Sequence, residues 1–209
     1  MVHEQVATPR TRRRRANRER ILDAAIEVAS AEGLDALSIK KVADAADYTP
    51  GALYRYFPSK DALLASVAAH VITRLGVRLA AVPGEGLVKV RAQVDAYVRF
   101  SRDEPHRFAL IASMFGDPRV LLPEAQEAAK VGAAMHGALL PVAAELSVAS
   151  ERGELSPGAP EQRVLTLFAG LQGALQMRKQ ERAMPQLLNA ERLAAQMVET
   201  LLAGWGAKT

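Results

Sequence analysis

The chain has 209 residues, 49% of them hydrophobic and 5% aromatic, with no cysteine and a net charge of +4. The missing cysteines exclude disulfides, thiolate catalysis and zinc–thiolate sites. The length suits one large helical domain or two small ones, and abundant Ala and Leu give an aliphatic, helix-prone core. No apolar run approaches the width of a bilayer, and the N-terminus is polar without an apolar signal stretch. The expectation is a soluble, cytoplasmic protein with no membrane partner.

The charge is unevenly placed. Residues 1–20 hold seven Arg against two Glu, a net +5, which leaves −1 for the rest of the chain. Arg10 and Arg12 to Arg15 make the densest run. Residues 1–15 read as a disordered basic arm. Such an arm either solubilises the chain or contacts nucleic-acid phosphates and the minor groove.

A first helix is expected over residues 16–32, with Ile21, Leu22, Ala25, Val28 and Ala29 at helical spacing. Gly33 fits the terminating position, and Leu34 and Leu37 pack beneath. Ser38 caps a second helix over residues 39–46, which buries Ile39, Val42, Ala43 and Ala46. Asp47 and Tyr48 make a turn. Thr49 caps a third helix over residues 50–56, with Pro50 at its first position, where a lost N–H is harmless. Leu53 and Phe57 point inward. Pro58 stops the helix and Ser59 caps the next.

Two short helices joined by a tight turn, the second polar and aromatic, describe either a plain packing hairpin or a DNA-reading helix-turn-helix. The spelling decides. The chain resembles the TetR family of transcriptional regulators through Ile21-Leu22-Asp23-Ala24-Ala25, Glu32-Gly33-Leu34, Leu37-Ser38-Ile39, Val42-Ala43, Ala46 and the run Thr49 to Leu63. The likeness covers roughly residues 18–64. Beyond about residue 75 only length and helical character match.

The resemblance implies an all-α fold of about nine helices. An N-terminal three-helix helix-turn-helix DNA-binding domain takes residues 16–63. A C-terminal helical ligand-binding and dimerisation domain takes residues 64–209. Tyr54, Tyr56 and Lys60 match family positions that contact phosphates, and their donors suit that chemistry. Many relatives carry His where Tyr56 stands. Ser38 serves as cap and phosphate contact. Base reading falls to Lys40, Thr49, Ala52 and Arg55. Pro50 starts the helix, and Gly51 lets it approach DNA without a clash.

Further helices are expected over residues 60–81, 87–102, 106–115, 123–153 (with Pro141 inside), 161–181 and 189–203. The eighth is apolar nearly all round. Gly170, Gly173, Ala174 and Met177 on the eighth helix, with Ala194, Met197, Val198 and Leu201 on the ninth, are the expected dimer interface. The resemblance implies the same four-helix contact between two chains, and a two-fold dimer suits a palindromic operator on double-stranded DNA. It also implies a pocket for a small-molecule effector. Tyr97, Phe100, Phe108, Met114, Phe115, Met135, His136, Phe168 and Gln172 are its candidate lining, suited to an apolar or amphipathic ligand.

His3, His70, His106 and His136 are scattered without metal-ligand spacing, and no nucleophile elbow, phosphate loop or dinucleotide fingerprint occurs. The chain is therefore read as no enzyme, with no metal and no cofactor. The expected function is a dimeric DNA-binding regulator, a repressor released by its effector. The alternative is a ligand-independent DNA-binding or architectural protein whose C-terminal helices serve only dimerisation or protein contacts.

Overall fold

The computed structural model describes residues 8–33, 36–116 and 125–208. These residues form nine α-helices and one short 3-10 helix, with no strand among them. Two compact units result, one from residues 1–70 and 122–131, the other from residues 71–121 and 132–209.

The first unit holds α1 (Pro9–Glu32), α2 (Ile39–Ala45), α3 (Pro50–Tyr54) and the start of α4 (Lys60–Ala80). Each boundary has a local cause. Ser38 Oγ accepts from the Lys41 N–H at 3.2 Å, Thr49 Oγ1 from Ala52 at 3.2 Å, and Ser59 Oγ from Ala62 at 3.0 Å. These caps satisfy donors that the helix itself leaves open. Ile21, Leu22 and Ala25 of α1, Val42 and Ala43 of α2, Leu53 of α3, Phe57, and Leu63 of α4 are all buried and form one core. Gly33 ends α1 with φ +87, and its N–H bonds the Ala29 carbonyl at 3.0 Å. Leu34 lies outside the described residues.

Helix α1 starts earlier than expected. Arg10 and Arg12 to Arg15 lie in its first turns rather than in a disordered arm. The reason is a cap that the arginine run obscured. Thr8 Oγ1 accepts from Thr11 at 3.3 Å, and Pro9 occupies the first helical position. Arginine is itself a good helix former, and Arg15 pairs with Glu19 one turn on at 3.0 Å. Residues 1–7 of the expected arm lie outside the described residues. Helix α3 is shorter than expected. It ends at Tyr54, and Tyr56 bonds the Leu53 carbonyl at 2.8 Å in a tighter closing turn. Phe57 precedes Pro58, which disfavours continued helix.

The turn between α2 and α3 is a Schellman-type cap. The Tyr48 N–H reaches back to the Ala43 carbonyl at 2.9 Å, and Asp47 takes φ +60. Asp tolerates that left-handed backbone better than most residues.

The second unit holds the rest of α4 with α5 (Gly86–Asp103), α6 (Pro105–Gly116), α7 (Ala125–Glu151) from Gly132 on, α8 (Pro160–Gln176), the 3-10 turn Met177–Gln180 and α9 (Ala190–Gly204). The start of α5 is capped from a distance. Gly86 N–H donates to Glu145 at 2.9 Å and Leu87 N–H to Glu154 at 2.8 Å, so two carboxylates meet its positive end. Helices α8 and α9 pack closely. A Cβ at Gly170 would stand 2.6 Å from Met197 Sδ.

Helices α4 and α7 are long and apolar enough to span a bilayer by length and composition, which corrects the expectation that no run reaches that length. Their Leu, Val, Ile and Ala residues keep their mean hydropathy high. Some of their larger apolar side chains are buried, such as Leu63 and Val67 of α4 and Val142 and Leu146 of α7, while Val77 and Leu140 are exposed.

The Asp47 backbone makes a direct prediction. Asp47→Val should cost about 1–2 kcal/mol, because a β-branched residue resists the left-handed conformation. Asp47→Gly should be tolerated. Thermal unfolding of the two variants measures the difference, and equal melting temperatures would contradict it.

Candidate nucleic-acid interface and C-terminal cavity

The two short helices present a continuous polar surface. Lys40, Thr49, Pro50, Gly51, Tyr54, Arg55 and Lys60 are exposed, while Ser38, Ala52 and Tyr56 are half-buried. Tyr54 is 54% exposed, directly beside the fully buried Leu53. A large ring held outward on a helix of five residues is unusual expenditure of apolar area, and it suits a phenol aimed at a partner. Tyr56 packs edge-on against Tyr48, ring centroids 6.3 Å apart, which fixes its direction.

The charges on this surface differ in their freedom. Lys41 is held by Glu32 at 2.5 Å. Lys40 and Arg55 have no ion-pair partner among the described residues, so their charges remain for an outside group. Ser38 and Thr49 spend an oxygen lone pair on their caps, which leaves each hydroxyl proton free to donate.

Gly51 is informative because nothing inside the chain requires it. A Cβ there would meet nothing within 4 Å, and its φ lies outside the left-handed range. Glycine inside a short helix is a cost of about 0.5–1 kcal/mol relative to alanine.

Sequence reasoning missed Arg18. Its guanidinium lies over the Phe57 ring, 5.4 Å from the centroid, and half-burial lowers its pKa against the pull of Glu127 and Glu19. This contact ties α1 to the segment that follows α3.

In the second unit a cavity of about 50 Å³ is lined by residues of α4 to α8, among them Ile72, Leu75, Gln93, Tyr97, Met135 and Phe168. Tyr97, Met135 and Phe168 are thus where the sequence placed them. Gln172 is buried next to the lining, and the Tyr97 hydroxyl donates to its Oε1 at 2.7 Å. Burial pushes the Tyr97 phenol well above its ordinary range. Phe100 and Phe108 do not line the cavity. They stack behind Tyr97, at 6.2 and 6.1 Å between centroids, as core. Met114 is half-buried off the lining, and the side chain of Phe115 lies outside the described residues. His136 is corrected: it sits on the exposed face of α7. The missed residues are aliphatic, such as Leu79, Val94, Ile111 and Leu167.

The expected dimer residues divide. Ala174, Ala194 and Val198 are buried in the chain's own core, and Met197 covers Gly170. Those contacts belong to α8–α9 packing within the chain. Gly173 and Met177 remain exposed, with Met197 and Leu201 half-buried. Leu165 of α8 is 54% exposed and Ala169 is exposed as well.

Comparison with known proteins agrees with this layout. Residues 21–67 match the family model described as bacterial regulatory proteins, tetR family, and residues 90–201, more than half of the chain, match the tetracyclin repressor-like C-terminal domain. The HTH-type transcriptional repressor KstR of Mycobacterium tuberculosis is 45% identical over 64 residues, 31% of this chain and 29% of that protein. KstR of Rhodococcus jostii is 46% identical over 67 residues, 32% of each chain. The chain thus matches less than a third of the curated relatives' length. Among solved structures, a tetR family regulator from Shewanella sp. PV-4 shares the fold at TM-score 0.68 and 18% identity, covering 92% of this chain and 99% of that one. FadR from Bacillus subtilis, solved with stearoyl-CoA, does so at TM-score 0.67 and 17% identity, covering 89% and 98%. From its N-terminal reading helices to its C-terminal helical domain, the chain belongs to the TetR family of bacterial regulatory proteins, which are DNA-binding transcription factors rather than enzymes.

Proposed function

We propose that the chain is a dimeric repressor that reads a palindromic operator and releases it when a small apolar or amphipathic effector occupies the second unit. The observation that carries the DNA part is the exposed row Thr49, Gly51, Tyr54 and Arg55 on a helix anchored by buried Leu53. Tyr54, Tyr56 and Lys60 contact phosphates and position the helix. Arg55 and Lys40 read guanine edges, and Thr49 and Ala52 touch thymine methyls. The arginines of the first turns of α1 add phosphate contacts. Curated relatives that match the reading helices carry the name repressor, which supports that direction of control.

A second copy supplies the two-fold symmetry. Leu165, Ala169 and Gly173 on α8 and Met177 at the start of the 3-10 turn that follows recur every four residues and are all exposed, an apolar stripe one helix can set against its mate. Gly173 has open space around it, so a neighbouring helix can come close.

The cavity supports the effector part. At about 50 Å³ it is smaller than a pocket for a drug-sized ligand, so binding requires the lining to part. Helices α4 and α7 each contribute residues to both units, and a ligand that prefers one arrangement of these helices shifts the population of DNA-competent dimers. A coupling of about 1–3 kcal/mol lowers affinity about 5- to 150-fold.

Gly51→Ala should melt at the wild-type temperature or above, yet lose operator affinity, because the methyl collides only with DNA. A variant that binds DNA normally would contradict the close approach. Tyr54→Ala and Lys60→Ala should weaken binding to all duplexes alike. Arg55→Ala should instead relax preference at one base position, by about 1–3 kcal/mol. Fluorescence anisotropy over a panel of single-base operator variants separates the two patterns, and an equal loss on every duplex for Arg55→Ala would refute base reading.

A further inference from the structure

The cavity of the second unit is aliphatic and aromatic, and one buried amide breaks the pattern. Gln93 lines it and is 1% exposed. Its Nε2 donates to the Leu79 carbonyl at 3.1 Å. That bond settles the orientation of the amide, since a carbonyl oxygen only accepts. Its Oε1 has no hydrogen-bond partner among the described residues. Beside the cavity, Gln172 repeats the situation with opposite polarity. Its Oε1 accepts from Tyr97, and its Nε2 is left without a partner among the described residues.

Buried polar atoms are nearly always paired, and an unmet acceptor in an apolar cavity is costly. A methionine would fill the same space without the unmet acceptor and would give up only the bond to the Leu79 carbonyl, which the Val82 N–H also reaches at 3.3 Å. One end of the amide serves the Leu79 carbonyl, and the other, Oε1, is left for a group that the described residues do not supply. No Asp, Glu, Lys, Arg or His is among the lining residues. The Tyr97 phenol stays neutral as well, held so by its burial. A carboxylate or phosphate drawn into this space would be a buried charge without a counter-ion.

We infer that Gln93 is the polar anchor of the effector site, and that the part of the effector it receives is neutral, largely apolar and equipped with a hydroxyl or N–H donor. The inference rests on the reading of this cavity as the effector site. The donor meets Gln93 Oε1, apolar atoms fill the space along Leu75, Val94 and Phe168, and an acceptor on the same molecule can meet Gln172 Nε2. An apolar ligand with acceptors only would leave Gln93 unmet and bind less well.

Two isomers test this. Calorimetric titration of the full chain with 1-octanol and with methyl heptyl ether compares a donor with a bare acceptor at equal composition, and octanoate adds the charge. The wild-type chain should bind 1-octanol roughly 5- to 10-fold more tightly than the ether. Octanoate should bind more weakly than either. Gln93→Met should keep affinity for the ether and bring the alcohol within about twofold of it. Equal binding of the two isomers by the wild-type chain, which needs no variant, overturns the anchor role and leaves the effector cavity standing. So does an alcohol preference that survives Gln93→Met. If none of the three binds, the effector reading falls, and this inference with it.

Discussion

Five residues of helix are too few to persist in water, because the first turn fixes several dihedrals for one hydrogen bond. Everything the first unit can present to DNA depends on how α3 is held. Leu53 and Phe57 are driven into the core, the Thr49 hydroxyl caps the start, and the Asp47 turn sets the entry angle. Arg18 of α1 closes over Phe57 from the other side. None of these groups needs to touch DNA. They fix the backbone, so that the proposed DNA contacts of Gly51, Tyr54 and Arg55 would cost little ordering entropy on binding. On the proposed reading, Leu53 and the Thr49 cap hold the helix while Gly51, Tyr54 and Arg55 face DNA.

The second unit solves a different problem. It must be stable yet keep space that can open. Its core is aliphatic and adaptable, and the aromatic cluster of Tyr97, Phe100, Phe108 and Phe168 gives it a fixed wall. Aliphatic side chains such as Leu75 and Val94 can part at small cost, whereas the stacked rings resist. On the proposed reading, the buried amides of Gln93 and Gln172 add specificity to a cavity that is otherwise apolar.

Much of the first unit was legible because caps, turns and breakers are local. Ser38, Thr49 and Ser59 all cap as their neighbours imply. The same signal, Thr8 followed by Pro9, was overlooked because a run of arginines reads as disorder by composition. The second unit was less legible because its decisions are made between distant segments. Periodicity shows that Val94 or Leu167 is buried, but not whether it faces another side chain or empty space. A search for aromatics therefore found Tyr97 and Phe168 and wrongly added His136. Small residues posed the same ambiguity: Gly170 permits close helix approach, and Met197 of the same chain makes that approach. Exposed Leu165 and Ala169 could be found only once the chain's own contacts were known.

The central claim is that two copies of the short reading helix act together on one duplex. Selection from a randomised double-stranded DNA library at physiological salt tests it most directly. The account predicts enrichment of a palindrome whose half-sites lie about one helical turn apart, or a multiple of it. Salt-sensitive binding with no enriched sequence would show only the electrostatics of the arginine-rich start of α1, and would contradict specific dimeric reading.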